Sequence, residues 1–417
     1  MTQFQRFFWA SGLANLADGV ATLAWVWVAS LLTRDAALIA LVPMALRLPW
    51  AIFAIPAGLV ADKLDRRRLV VAMDALRAVA FALAAGALWG AGALPEAPAA
   101  GVVSLPLFMA LCLAALTVGV AEVFRDNAAQ TLLPALVPDA GLERANGRLW
   151  TLEAVTNQML GPAFGAFLLG SALGLPFAIN ALAYAVAAVL MAQLSGEFRP
   201  HSGKPEPWRP ALAAAFGFLR GQPLLRLLAV ITGFWNMFFA MLSFALILHA
   251  QENLRLSAQA YGFVLMGMAA GGALAGLVGD RIIARFGARR VMPAALMLSA
   301  IMMLMVPMMP NGWGLAGCFF VFELSGITWN IVSVSLRQRL VPDALRGRVN
   351  SIYRLLAWGM IPLGTALAGA MVGWAEPSLG RSVALTVPLW LAGGGLMAVS
   401  FSVLPALWRR LARPSGE

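Results

Sequence analysis

Long apolar runs alternate with short polar segments along almost the whole chain. A run of about 20 apolar residues is long enough to cross the hydrocarbon core of a membrane. The predicted spans are twelve, at 7–31, 37–60, 70–92, 103–124, 150–171, 174–194, 223–248, 258–279, 290–309, 313–336, 351–374 and 382–407. The first run is too long for a signal peptide and lacks a cleavage site, so we expect it to stay in the membrane. The pattern predicts an all-α membrane protein with twelve transmembrane helices.

Composition and charge agree with this prediction. Only 12% of the 417 residues are charged and 61% are hydrophobic, whereas soluble domains carry about 25% charge. The net charge of +11 comes from basic residues at the termini and in alternate loops, which is the positive-inside pattern. We therefore expect a multi-pass protein of the bacterial cytoplasmic (inner) membrane with both termini cytoplasmic. Contact with anionic membrane lipid is a second expected use of the positive charge, and nucleic acid is not an expected partner.

The chain divides into two similar halves around a polar, proline-rich segment. Residues 196–222 are predicted to form a cytoplasmic linker between an N-terminal bundle, 1–195, and a C-terminal bundle, 223–417, each with six spans. Three short matches recur in order: GLVAD at 58–62 with GLVGD at 276–280, LVPDA at 136–140 and 340–344, and GPAFG at 161–165 with IPLGT at 361–365. The repeats indicate two pseudo-symmetric six-helix bundles, an arrangement typical of secondary transporters.

The charged stretch GLVADKLDRRR at 58–68 resembles the loop 2–3 signature of the major facilitator superfamily. The matching positions are Gly58, Asp62, Lys63, Arg66 and Arg67, and Asp65 stands where a second glycine is usual. Segments 127–148 and 336–354 resemble the branch of this family that contains siderophore exporters and macrolide efflux proteins. The resemblance implies alternating access between the two bundles.

The resemblance also implies a cytoplasmic gate around this loop. Acidic residues contribute little to membrane topology, so an anchoring role does not explain Asp62. The resemblance implies that Asp62 faces the start of span eleven, near Asn350 and Ser351. Arg66 or Arg67 is expected to pair with an acid such as Glu122 or Asp126. The expected gate residues are Gly58, Asp62, Lys63, Arg66 and Arg67 and, in the second half, Gly276, Asp280 and Arg281. A purely topological anchor is the alternative, and for Asp280 the two interpretations weigh about equally.

Three ionisable residues lie deep in predicted spans, where charge is costly and usually functional. Asp18 and Arg47 lie at similar depths in spans one and two, so we predict an ion pair that closes the cavity or contacts substrate. Glu323 in span ten has no basic residue at comparable depth in its half. An isolated carboxyl group in an apolar medium favours its protonated form, and we predict that Glu323 carries the proton. A buried acid that only bonds its neighbours is the alternative for both carboxylates.

The resemblance implies that spans one, four, seven and ten line the central cavity. Further polar residues occur in three of these spans. Ser11, Asn15, Asp18 and Thr22 share one face of span one because their spacings are 4, 3 and 4. Span seven adds Trp235 and Asn236, and span ten adds Asn330. Span four shows hardly any polar stripe. Asp74 and Arg77, near the start of span three, are predicted to tie helices together close to the cytoplasm.

The leading hypothesis is a monomeric transporter that exports drug-like or siderophore-like amphipathic molecules by proton antiport. An uncoupled facilitator or a flippase for lipids or lysophospholipids is the alternative. A membrane sensor without transport activity is disfavoured, because the longest stretch outside the predicted spans is the linker. No nucleophile arrangement, Walker motif or Cys/His cluster occurs in the sequence, so we expect no enzyme activity, no cofactor and no metal site. The expected partners are a small-molecule substrate, protons and membrane lipid.

Overall fold

The chain forms helices joined by short connections, grouped in two compact units. The computed structural model describes residues 1–61, 63–94, 98, 101–138, 142–196, 198–199 and 208–412. Unit 1 comprises Met1–His201 with Leu256–Phe263, and unit 2 comprises Ser202–Arg255 with Val264–Glu417. The helices up to residue 192 are α1 (Gln3–Leu32), α2 (Ala36–Ala61), α3 (Arg66–Ala91), α4 (Leu105–Leu136), α5 (Leu142–Glu153), α6 (Gly161–Ser171) and α7 (Leu175–Ala192).

The second half of the chain repeats this helical pattern after a short linker helix, α8 (Trp208–Gly221). The longer helices that follow are α9 (Pro223–Glu252), α10 (Ala258–Phe286), α11 (Ala288–Met305), α12 (Gly312–Leu340), α13 (Asp343–Trp358), α14 (Met360–Leu379) and α16 (Val387–Ala412), with the single turn α15 (Arg381–Ala384) before the last. Ala215 and Leu219 of α8 pack in one hydrophobic cluster with Val349 and Ile352 of α13. The linker helix thereby has an apolar face that is covered by unit 2.

The fold class predicted from the sequence is confirmed. Eleven helices in the described part of the chain are long and apolar enough to cross a membrane. The remaining predicted span, 150–171, is helical but is divided into α5, a π-helical segment at Ala154–Leu160, and α6. Helix α4 also differs from the prediction, because it continues to Leu136 rather than ending at residue 124.

Sequence-local signals explain where several helices begin. Asp65 is the N-cap of α3 and its carboxylate accepts the backbone N–H of Arg68 at 3.0 Å. Thr2 and Gln5 form a capping box at the start of α1. The acid that replaces the usual glycine in the 58–68 loop therefore has a structural role, because it satisfies an otherwise unpaired N–H group of α3.

The core of unit 1 lies between α1, α3 and α7. Trp25, Phe81 and Phe177 are fully buried there, with the Trp25 and Phe177 rings edge-to-face at 4.8 Å between centroids. Arg77 and Tyr184 are among the largest fully buried side chains of the same region. Helices in a membrane gain little from the hydrophobic effect, so close packing and polar contacts such as these hold them together.

Candidate functional site

Two corresponding spans are interrupted, one in each unit. The π-helical segment Ala154–Leu160 ends immediately before Gly161, and the break between α13 and α14 at Gly359 precedes Met360. These positions are one or two residues from the start of the repeated motifs GPAFG and IPLGT. Single π-helical turns are frequent at functional sites, and interrupted spans in equivalent places are the best local indication of a transporter's binding region.

In unit 1 the interruption packs against the polar part of α1. A Cβ atom on Gly19 would lie 2.4 Å from the carbonyl oxygen of Asn157, and one on Gly165 would lie 2.3 Å from that of Val20. Only glycine permits this approach of the two helices. Asp18, next to Gly19, is therefore adjacent to the π-helical segment.

In unit 2 the interruption packs against α9 in the same way. A Cβ atom on Gly364 would lie 2.0 Å from the carbonyl oxygen of Met237. The Asn236 amide donates to the carbonyl oxygen of Ala357 at 3.0 Å, and the hydroxyls of Thr232 and Tyr353 are 2.9 Å apart. Asn236, which the sequence suggested as a cavity residue, is thus bonded to the last turn of α13 before the break.

Asp18 is partly buried and forms a network with two fully buried residues, Arg77 and Tyr184. Its carboxylate accepts hydrogen bonds from the guanidinium of Arg77 and, at 2.6 Å, from the hydroxyl of Tyr184. The same Arg77 group lies 4.0 Å above the centre of the Tyr184 ring. The Asn180 amide, one turn from Tyr184, donates to the carbonyl oxygen of Ala17 at 2.8 Å. Helices α1, α3 and α7 are joined through these contacts.

The predicted pair of Asp18 and Arg47 is therefore wrong. Sequence depth placed Arg77 too close to the cytoplasm, because α3 begins at Arg66 rather than at residue 70. At about 1.5 Å per residue, Arg77 is about 16 Å along its helix, and its long side chain reaches Asp18. Arg77 does tie helices together, as predicted, but it does so in the middle of the bundle.

A second group of buried charges adjoins this network. Asp74 is 3.4 Å from the Nε atom of Arg125 and 3.9 Å from Nη1 of Arg77, and Arg125 is also 3.3 Å from Asp126. The acids and bases alternate, so their charges offset each other within the bundle. Such pairs are costly to break one partner at a time.

Arg47 pairs with Glu122 instead of Asp18. The two side chains are 3.2 Å apart with exposed fractions of 50% and 14%, and the indole N–H of Trp50 donates to the same carboxylate at 3.3 Å. Glu122 is therefore a polar residue of span four. The sequence pattern places it at the cytoplasmic edge because the predicted span ends at residue 124, whereas α4 extends twelve residues further.

Glu323 has a different environment from the other acids within the spans. Its Cγ atom lies 3.3 Å from the position of a Cβ atom on Gly272 of α10, and its side chain is partly buried. Among the residues that the structure describes, it has no ion-pair or hydrogen-bond partner. Asn330, predicted to share its polar stripe, is exposed on α12, and Asn15 is partly buried on α1.

Three aromatic rings of α9 and α12 stack on one another in unit 2. The centroids of Trp235, Phe239 and Phe322 are 5.1 to 5.3 Å apart and their planes are within 24° of parallel. Phe322 precedes Glu323 directly, and the Trp235 ring also covers Gly326, one turn further along α12. Trp235 was singled out in the sequence, but its two phenylalanine neighbours were not.

The arginines of the expected gate loop bind backbone carbonyl groups elsewhere in unit 1. Arg66 donates to the carbonyl oxygen of Thr131 at 2.9 Å and Arg67 to that of Leu194, so the expected pairing with Glu122 or Asp126 is wrong. Asp62 and the side chains of Asn350 and Ser351 lie outside the described residues. Lys63 is exposed.

The glycines of the two signature copies are not contact points within the described part of the chain. A Cβ atom on Gly58 or Gly276 would have no atom within 4 Å, so no neighbouring helix of the described residues approaches closely at these positions. Asp280 and Arg281 are exposed at the end of α10. Close approach occurs instead at Gly267 and Gly271, whose added Cβ atoms would lie 2.6 and 2.0 Å from backbone oxygens of α12.

Comparison with known proteins places this architecture in a family. The family model described as the Major Facilitator Superfamily matches residues 7–365. The "Multidrug efflux pump Tap" of Mycobacterium tuberculosis is 28% identical over 412 residues, covering 95% of this chain and 92% of that protein.

Solved structures show the same fold. A nucleoside transporter, NupG, has a TM-score of 0.72 at 15% identity, covering 98% of this chain and 100% of that one. A bacterial homologue of the iron transporter ferroportin in its inward-facing state has a TM-score of 0.68 at 17% identity, covering 95% and 98%. Because the family model spans most of its length, the chain belongs to the Major Facilitator Superfamily, a family of membrane transporters.

Proposed function

We propose that this transporter exports amphipathic organic molecules of the drug or siderophore type by proton antiport, with Glu323 as the proton carrier. The observation that carries the proposal is the contrast among the acids within the spans. Asp18, Asp74 and Glu122 each lie beside an arginine, whereas Glu323 has no charged partner among the described residues. Similarity to multidrug efflux pumps supports the export direction.

The physical reason is the difference in solvation between paired and unpaired acids. An adjacent guanidinium favours the charged form of an acid, because the cation offsets part of the loss of water. An unpaired carboxylate in an apolar site is strongly disfavoured when dry and is neutralised by one proton. Glu323 is therefore able to remain neutral while its site is closed to water and to release the proton when the site is open.

Coupling follows from competition at one carboxyl group. A proton enters from the outer side and binds Glu323. It is released to the cytoplasm before the substrate binds in unit 2, or at the same time. The proton moves inward down its gradient while the substrate moves outward, and alternating access exchanges the two exposed states. The network of Asp18, Arg77 and Tyr184 keeps its charges throughout and serves to position α1 beside the π-helical segment.

The gate and topology belong to the same proposal. With both termini cytoplasmic, as the distribution of basic residues supports, the 58–68 loop lies on the cytoplasmic side. Asp62 acts there as the gating acid, while Arg66 and Arg67 fix the loop to the ends of α4 and α7. The transporter works as a monomer in the bacterial cytoplasmic membrane.

An accumulation assay in an efflux-deficient bacterial host tests this function. Cells expressing the wild-type protein should accumulate less of some compounds in a panel of amphipathic drugs and siderophores, and a protonophore should abolish the difference. Glu323→Gln should behave like the empty vector, whereas the matched control Glu376→Gln, which lies in another cluster, should retain efflux. Efflux that persists in the presence of the protonophore would instead favour an uncoupled facilitator or a lipid flippase.

A further inference from the structure

The arginines that follow the two signature copies differ in their partners. In unit 1, Arg66 and Arg67 lie in the first turn of α3 and donate to backbone carbonyl groups of the same unit. The corresponding pair in unit 2 is Arg289 and Arg290, in the first turn of α11. Both are exposed, and neither has a hydrogen-bond or ion-pair partner among the described residues. The guanidinium groups of the second copy are therefore available for a ligand from outside the chain.

An aromatic side chain of the neighbouring helix borders this basic surface. The guanidinium of Arg289 lies 4.8 Å from the centre of the Trp408 ring, which is close to the end of α16. Trp408 is 40% exposed, and the exposed Arg409 follows it directly. Tryptophan is enriched where membrane spans meet the lipid headgroups. The start of α11 and the end of α16 thus form one basic and aromatic surface at this end of unit 2.

Beyond Arg289, the exposed residues of α11 form a single stripe that begins at Arg290. Ala294, Leu298, Ile301 and Met305 follow it at spacings of 4, 4, 3 and 4 residues and therefore share one face of the helix. Apolar side chains on the outside of a membrane span contact lipid chains, which are as apolar as leucine. The stripe is about 22 Å long, which exceeds half of the hydrocarbon thickness, about 15 Å.

Helix α16 runs antiparallel to α11 and has a similar stripe. Its two ends meet the opposite ends of α11, because Trp408 lies beside Arg289 and a Cβ atom on Gly393 would lie 2.5 Å from the Cα atom of Leu304. The exposed residues of this stripe are Leu391, Gly394, Ala398, Phe401, Pro405 and Trp408. Each of the two adjacent helices therefore offers an apolar outer face that leads to the basic surface.

No acid of these helices neutralises the arginines. Neither α11 nor α16 contains an aspartate or a glutamate. Of the helices packed against them, α9 has the exposed Arg226 in its first turn and α12 has Arg337 and Arg339 in its last turn. The nearest acid along the described chain is Asp280 of α10, nine positions before Arg289. This end of unit 2 is thus complementary in charge to an anionic ligand.

We propose that Arg289, Arg290, Trp408 and Arg409 bind the headgroup of an anionic phospholipid, whose acyl chains lie along the exposed stripes of α11 and α16. The guanidinium groups bind the phosphate through charge-assisted hydrogen bonds, for which arginine has a suitable planar geometry. With the topology proposed above, this lipid belongs to the cytoplasmic leaflet, whose anionic headgroups attract basic residues. The site is independent of the exported substrate and of Glu323.

Native mass spectrometry of the purified full-length protein tests the site without transport. The protein is titrated in detergent with phosphatidylglycerol and with phosphatidylcholine that has the same acyl chains. The first phosphatidylglycerol should bind wild-type protein at least about tenfold more tightly than phosphatidylcholine. Arg289→Gln combined with Arg290→Gln should reduce this preference to less than about threefold. Arg289→Lys combined with Arg290→Lys keeps the charges and should retain a preference of at least about fivefold.

Two controls separate a defined site from general attraction to positive charge and to phosphate. Arg68→Gln combined with Arg148→Gln removes two exposed arginines of unit 1 and should leave the wild-type preference unchanged. Glycerol phosphate in large excess should not displace phosphatidylglycerol, because it lacks the chains that contact the apolar stripes. Unchanged elution in size-exclusion chromatography and an unchanged melting temperature without added lipid establish that each variant is folded.

Three results would overturn the lipid site. The first is equal affinity of wild-type protein for the two lipids. The second is an equal loss of preference in the two double glutamine variants, which would assign the preference to net charge alone. The third is displacement of phosphatidylglycerol by glycerol phosphate, which would indicate a site for soluble phosphates. None of these results bears on proton-coupled export, which is measured separately.

Discussion

Replacement of Arg77 by methionine should strongly destabilise unit 1, although Arg77 lies outside the proposed proton site. The guanidinium is 0% exposed and binds the carboxylate of Asp18, which is 23% exposed. It also donates to the hydroxyl of Tyr184 at 2.6 Å. Arg77→Met conserves much of the side-chain volume but leaves the Asp18 charge without its partner.

The size of the effect follows from these contacts. Removal of one partner from a buried ion pair costs about 3 to 5 kcal/mol. The cost of Arg77→Met should be near the lower limit of this range, because Asp18 is partly exposed and water compensates part of its charge. Asp74 adds little to this cost, because it keeps its contact with Arg125 at 3.4 Å. We therefore expect Arg77→Met to lower the free energy of unfolding by about 3 kcal/mol.

The assay is reversible unfolding in mixed detergent and SDS micelles, with a double-mutant cycle. Asp18→Asn combined with Arg77→Met removes both charges and should recover at least about 1.5 kcal/mol relative to Arg77→Met alone. Arg68→Met, which removes an exposed arginine in the first turn of the same helix, serves as the control and should cost less than about 1 kcal/mol. A loss below about 1 kcal/mol for Arg77→Met, or a double variant no more stable than the single one, would refute the reasoning.

Three further predictions concern packing, the gate and the ion-pair cluster around Arg381. Gly165→Ala should destabilise the protein by about 1 to 3 kcal/mol in the same unfolding assay, because the added Cβ would lie 2.3 Å from a backbone oxygen of α1. Gly86→Ala is the control and should be neutral or stabilising, because its added Cβ would have no atom within 4 Å. Equal effects of the two substitutions would contradict the close packing of Gly165 against α1. Asp62→Asn should preserve membrane insertion, measured by protease accessibility, but reduce drug efflux severalfold, whereas Arg68→Gln should change neither; normal efflux by Asp62→Asn would exclude the gate. Arg381→Gln should lower the free energy of unfolding by about 2 kcal/mol, because the 11%-exposed Arg381 side chain contacts the carboxylates of Glu252 and Glu376 at 2.7 and 2.9 Å. An unchanged unfolding midpoint would argue against a stabilising role of this ion-pair cluster.

The sequence was sufficient for the fold because the relevant signal is local. A span is detected from its length and apolar composition, and Asp65 or Thr2 mark helix starts through their own neighbours. The interruption in the fifth span was not predictable in this way. Residues 154–160 contain no proline or glycine and are compatible with an ordinary helix, and the π-helical geometry accompanies the tertiary approach of Gly19 and Asn157.

Pairing between helices was the least predictable feature. Depth along a helix follows from residue counts, but the rotation of one helix relative to another does not. Arg47 and Arg77 were both candidates for Asp18 by depth, once the true start of α3 is known, and only packing on α7 through Tyr184 decides for Arg77. The environment of Glu323 was easier to predict, because the lack of a nearby base in its half is already a property of the sequence.

The most direct test of the account is proton movement during substrate transport in proteoliposomes that contain the purified protein and an internal pH-sensitive dye. With wild-type protein, an imposed substrate gradient should drive proton movement in the opposite direction, and an imposed pH gradient should drive substrate accumulation. Glu323→Gln should abolish both, whereas Glu376→Gln should retain both. Proton-coupled transport that continues unchanged in Glu323→Gln would contradict the assignment of Glu323 as the proton carrier.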